Sequence, residues 1–184
     1  MTSKERSIRP GEWPSRYCAT AIGTDPARIV EHIGGWLYDH MKQGWNTSVA
    51  APVSRRSTAL RILGVDTVDT SALLSGYDAT AANAIAVDAG LYGSDSVIGA
   101  FVDRAARGRF NSIALWGDCG ISSTCTIGFS SGSHRLSDAA RRFKAHAYLA
   151  LDPELSHPVA PVEEFQCTRR QAPLTIISDP ARNA

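Results

Sequence analysis

Three aspartates, Asp66, Asp88 and Asp118, each close or follow a short apolar run, and they are the first residues whose placement suggests chemistry. In open α/β sheets ligands bind beyond the carboxyl ends of the strands. Carboxylates converging there would hold Mg²⁺, which takes oxygen ligands and serves phosphoryl chemistry, with His134 as an acid or base. The competing account is structural. Aspartate is a standard turn and N-cap residue, so strand-to-helix junctions collect it without any metal.

The segment Thr126 to Arg135, Thr-Ile-Gly-Phe-Ser-Ser-Gly-Ser-His-Arg, suggests a different chemistry. Read as a loop entering a helix, it presents Gly128, Ser130, Ser131, Gly132 and Arg135 to a small anion. Exposed backbone N–H groups, a helix N-terminus and a guanidinium all favour negative charge. The segment matches neither G-x-x-x-x-G-K-[ST] nor G-x-G-x-x-G, so no nucleotide motif is complete.

Thiol chemistry is a third option. Cys119 follows an apolar run in Gly117-Asp118-Cys119-Gly120, where a nucleophile can be presented, but Asp118 beside it opposes a thiolate. Cys119, Cys125 and His134 lack the fourth ligand and the spacing of a zinc site. The cysteines Cys18, Cys119, Cys125 and Cys167 form no C-x-x-C pair and read as small buried thiols of a reducing compartment. Arg104, Arg107 and Arg109, and Arg135, Arg141, Arg142 and Lys144, read as solvated helix surface, since no nucleic-acid motif accompanies them. No catalytic residue is assigned.

The elements that must position these groups alternate between helix and strand. Thr24 or Asp25 can cap a helix opening at Pro26, and Ile29, Val30, Ile33, Trp36, Leu37 and Met41 then share one face until Gly44. Trp45 to Ala51, Leu60 to Val65, Ala84 to Ala89 and Ser112 to Gly117 are short apolar runs bounded by turn residues, the pattern of strands buried on both faces. Ser94 to Arg107 reads as a crossover helix. A last helix from Ser137 to Leu149 is expected to bury Leu136, Ala140, Phe143 and Ala147 and to leave Arg141, Arg142 and Lys144 in water, with an Asp138 to Arg142 ion pair. The gap between the first two runs is short for a parallel crossover. Either they pair antiparallel, or Ser54 to Ile62 is partly helical and the second strand is very short.

The expected fold is a three-layer α/β/α domain over residues 24–151 with a mainly parallel sheet of four or five strands. An irregular N-terminal arm covers 1–23, and an extended Pro-rich tail covers 152–184, with Leu174 to Ile177 the part expected to dock. With 184 residues, 43% of them hydrophobic, the chain can bury one sizeable core. Nineteen Lys and Arg against eighteen Asp and Glu give a charge of +1, so no global field draws nucleic acid or an acidic membrane. No apolar run approaches a membrane span and the polar N-terminus is not a signal peptide, which points to a cytoplasmic protein. With no catalytic signature complete, the expectation is a non-catalytic binding or regulatory domain for a small anionic ligand or a protein partner. The alternative is a Mg-dependent phosphoesterase or nuclease using Asp66, Asp88 and Asp118.

Overall fold

In the computed structural model, which describes residues 17–77, 82–108, 111–117, 128–152 and 158–168, the apolar stripe from Ile29 to Met41 is the inner face of helix α1 (Pro26–Lys42). Asp25 caps it from an extended backbone, its carboxylate accepting the Ala27 N–H at 2.9 Å, and Pro26 occupies the first turn, where its missing N–H costs nothing. Around α1 the described chain runs β1 (Tyr17–Ile22), β2 (Asn46–Ala50), α2 (Ser57–Ile62), β3 (Asp66–Val68), α3 (Thr70–Ser75), β4 (Ala82–Asp88), α4 (Ala89–Ser94), α5 (Ser96–Ala106), β5 (Asn111–Trp116), β6 (Phe129–Arg135), α6 (Asp138–Leu151) and β7 (Val162–Thr168).

The strands form one seven-stranded sheet in the order β3-β2-β1-β4-β5-β7-β6. The first five are mutually parallel, while β7 runs antiparallel to both β5 and β6. The α/β expectation holds at that level, and the sheet is larger and more mixed than the four or five mainly parallel strands expected.

Strand alternation sorts the core into two faces. On one, Ala19 and Ala21 of β1, Ala84 and Ala86 of β4 and Ala114 of β5 lie under Ile29, Val30, Ile33, Trp36 and Leu37 of α1. The register sets Ala21, Ala86 and Ala114 side by side, so three small side chains pave a floor on which large helical ones can settle. On the other face the strands supply the bulk, with Ile22, Ile85, Val87, Ile113 and Leu115 against Ile98, Phe101, Val102 and Ala105 of α5. No helix among the described residues is long and apolar enough to cross a membrane.

Several expectations are corrected. The N-terminal arm gives up Tyr17 to Ile22 to β1, which pairs with β2 on one side and β4 on the other. Its alanines and threonine lack the bulky β-branched run that marks a central strand. The Pro-rich tail gives up Val162 to Thr168 to β7, placed between β5 and β6, so the domain does not stop at residue 151. Leu174 to Ile177 lie outside the described residues. Leu60 to Val65 is not a strand. α2 covers its first half, Gly64 turns the chain and β3 is only three residues long, which is the second of the two arrangements allowed by the short gap. In α6 the buried residues are Ala140, Lys144 and Ala147. Phe143 is 41% exposed, stacked on Tyr38, while Lys144, expected in water, is 2% exposed.

Candidate functional site

Asp66 and Asp88, the two of the three aspartates that are described, do not stand together. Asp66 opens β3, so it sits exposed at the amino end of that strand, and β2 and β1 separate β3 from β4. That spacing alone is about 14 Å at the usual distance between neighbouring strands. Asp88 does end β4 and is buried, but it caps α4, its Oδ1 accepting the Gly90 N–H at 2.8 Å. Asp118 lies outside the described residues, as do Cys119 and Cys125. The segment expected as an anion-binding loop is also different. Ser130, Ser131, Gly132 and Arg135 belong to β6 at the sheet edge, paired along its length with β7, and Gly128 precedes it. The helix that follows is closed by its own residues, Ser137 Oγ accepting the Ala140 N–H at 3.0 Å with Asp138 in the first turn.

The polar groups that do converge are at the topological switch point. β1 and β4 are neighbours whose next strands lie on opposite sides, and their helices pack on opposite faces of the sheet, which opens a crevice beyond their carboxyl ends. Asp25 stands at its edge, its Oδ2 accepting from Arg56 Nη1 at 2.9 Å. Arg28, in the first turn of α1, reaches toward Asp88, with Nε 3.8 Å from Oδ2. The same guanidinium passes over Gly117, where a Cβ would stand 2.9 Å from Nη2 and where φ of +88° already favours glycine. One turn further along α1, His32 stacks on Trp116 with ring centroids 5.5 Å apart. Arg28 and His32 therefore lie against Gly117 and Trp116, respectively. Sequence reading missed them because they sit on the polar side of α1, where spacing i, i+4 passes for ordinary helix surface.

Two concavities adjoin this crevice. One, of about 720 Å³, is bounded by Glu31 and His32 of α1, Arg56, Tyr148 and Asp152 at the end of α6, and the approach to β7. The other, of about 520 Å³, has Gly117, Ser131, Gly132 and Gln166 in its wall. Glu164 lines both. Burial and the nearby carboxylates of Glu31 and Glu163 push the Tyr148 phenol up to about 12, so it stays protonated across the neutral range.

At the inner wall of the larger cavity, where Lys144 and Glu163 lie, the polar groups are differently arranged. Lys144 and Glu163, each 3% exposed at the side chain, pair directly. Lys144 Nζ also donates to the Glu31 carbonyl at 2.6 Å, and Glu163 accepts the Gly35 and Trp36 N–H groups at 2.8 Å each. Gly35 is required for this approach, since a Cβ there would run into Leu136. Further along α1, Asp39 accepts from His134 Nε2 at 2.9 Å and from the Ser137 N–H and hydroxyl. Burial would raise the Asp39 carboxyl, but these bonds outweigh it and hold it below the usual range. His134, expected as an acid or base, is thus a buried partner of Asp39. Burial drives His40 down to about 4, against its own Nδ1–H bond to the Trp36 carbonyl.

No family model matches the chain, and a search of curated proteins finds no match. Solved structures do resemble it. A deacetylase–teicoplanin complex from the biosynthesis pathway of teicoplanin is 12% identical at TM-score 0.54, covering 84% of this chain and 99% of that one. The deacetylase of the A40926 pseudoaglycone, an antimicrobial reagent, is 12% identical at TM-score 0.54 over 84% of this chain and 96% of its own. A zinc-inhibited form of teicoplanin deacetylase is 12% identical at TM-score 0.51 over 72% and 83%. At such identities the likeness is one of fold. The residues of the crevice do not suit a zinc ion: among the described residues no three His, Cys, Asp or Glu side chains stand together, and Asp25 and Asp88 each face an arginine and cap a helix. The expectation of a non-catalytic binding domain is nonetheless overturned. It rested on the lack of a complete catalytic motif, and the solved structures that share this fold are deacetylases.

Proposed function

We propose that the chain is a hydrolytic enzyme that cleaves an N-acyl bond of a polar small molecule, with the reaction at the β1/β4 crevice and the body of the substrate in the adjoining cavity. The observation that carries this reading is the meeting of two concavities at Glu164 beside the crevice, with His32 in the wall of the larger and Gly117 in the wall of the smaller. The larger, at about 720 Å³, is of ordinary ligand-site size. Its charged and hydroxyl-bearing wall suits a substrate rich in hydroxyls and amides, and the similar structures are deacetylases.

His32 would take a proton from water while the water oxygen attacks the acyl carbon. The C–N bond then breaks as His32 returns that proton to the leaving nitrogen, and the acid's remaining proton passes to the freed amine, so the products are a carboxylate and an ammonium. Tyr148 lines the larger concavity, and Ser131 and Gly132, among the residues first read as anion contacts, line the smaller.

The test is acetate release from a panel of N-acetylated amino sugars, followed by proton NMR. Wild type should release acetate and free amine, and His32→Gln should lower kcat about 100-fold or more at an unchanged unfolding midpoint, the scale of general-base catalysis. No release from any member of the panel, or full activity in His32→Gln, overturns the reading.

A further inference from the structure

Two buried N–H groups at the crevice, Arg28 Nε and Trp116 Nε1, have no hydrogen-bond partner among the described residues. Buried donors are almost always paired, so each such exception calls for an explanation. Trp116 is fully buried, and the edge of its indole beside Gly23 carries Cζ2, 2.9 Å from where a Cβ on Gly23 would stand and two bonds from Nε1. The unpaired indole edge thus lies under the β1 end of the crevice. Arg28 is held over the neighbouring Gly117, its side chain 43% exposed, and its 3.8 Å approach to Asp88 is too long for a hydrogen bond. The third unpaired donor, Trp36 Nε1, belongs to the core, packed against the His40 ring at 4.3 Å.

Building on the hydrolase reading, we propose that Arg28, together with the Trp116 indole N–H, is the subsite for the acyl oxygen: the amide carbonyl of the substrate and then the carboxylate of the released acid. A guanidinium offers such a group a charge-assisted fork that lysine cannot reproduce. Asp88 competes with the ligand for the same guanidinium while capping α4, which keeps Arg28 in place when no ligand is bound.

The probe is acetate, titrated against chloride at matched ionic strength with acetamide as the neutral arm. The Arg28 Nε–H and Trp116 indole N–H signals are followed by ¹H–¹⁵N NMR and assigned with Arg28→Lys and Trp116→Phe. Acetate should move both signals saturably, and acetamide should move them more weakly in the same direction. Arg28→Lys should weaken acetate about tenfold or more, the scale of one charge-assisted pair. Asp88→Asn, which keeps the cap and frees the guanidinium, should tighten acetate binding. Signals that stay still, or wild-type affinity in Arg28→Lys, overturn the subsite. Acetate binding without hydrolysis of any N-acyl substrate leaves the subsite standing and removes the hydrolase reading; hydrolysis without movement of these two signals does the reverse.

Discussion

The crevice at the β1 and β4 ends and the corner where α1, α6 and β7 meet are both polar, and they treat their polar groups in opposite ways. In the corner each carboxylate is saturated, Glu163 by Lys144 and two backbone N–H groups, Asp39 by His134 and Ser137. In the crevice Arg28 Nε and Trp116 Nε1 have no partner among the described residues. A saturated buried network specifies one packing and resists change, while an incomplete one keeps donors free for something that binds. Charged groups in the corner should therefore register in stability, and those in the crevice in ligand affinity and turnover.

The largest break of that contrast comes from Lys144→Met. It leaves Glu163 charged and buried without a counter-charge, and it should cost about 3–5 kcal/mol in urea unfolding. Adding Glu163→Gln should recover part of the loss. A loss below 1 kcal/mol would mean that the pair does not hold the corner together.

Acid gives the next largest effect. His40 stays neutral in the fold down to about 4 while the unfolded chain takes up its proton near 6.5, so its contribution is complete above 6.5 and drains away as pH falls toward 4. The loss over that window is about 3 kcal/mol, at 1.36 kcal/mol per pKa unit. Asp39, held below 3.8 in the fold, adds a further loss only below that pH. In His40→Gln the slope between 6.5 and 4 should flatten, and an unchanged slope would remove His40 as its source.

Smaller is Gly35→Ala, whose new methyl meets Leu136; overpacking of this kind costs about 1–3 kcal/mol. Shortening Leu136 to Ala in the same chain should make the added methyl far better tolerated, and strictly additive losses would show that the two do not touch. The smallest effect belongs to the crevice. Asp88→Asn retains a good cap, so stability should change by no more than a few tenths of a kcal/mol even as acetate affinity changes. A loss of more than 1 kcal/mol would place Asp88 with the corner rather than with the site.

Local rules made α1, α5 and α6 legible. Their caps, Asp25, Asp95 and Ser137, and the apolar stripe of α1 are interactions between residues a few positions apart, and such patterns are written directly into the chain. The same rules placed β2, β4 and β5 within a few residues. They failed at β1 and β7 because what makes those segments strands is the company they keep. Ala19 and Ala21 are strand residues because α1 needs a flat floor, and Glu163 points inward because Lys144 waits there, 19 positions away in the chain. For the same reason the aspartates looked alike in sequence, and only strand order separated Asp66 from Asp88. The crevice itself was hidden. Arg28 and His32 are far along the chain from Asp88 and from Gly117, and nothing local says that a helix turn after β1 will lie over the ends of β4 and β5. Short-range spacing determined which segments are helices; parallel pairing between distant strands decided which side chains meet, because it is the sheet that carries the end of each strand to its neighbour's.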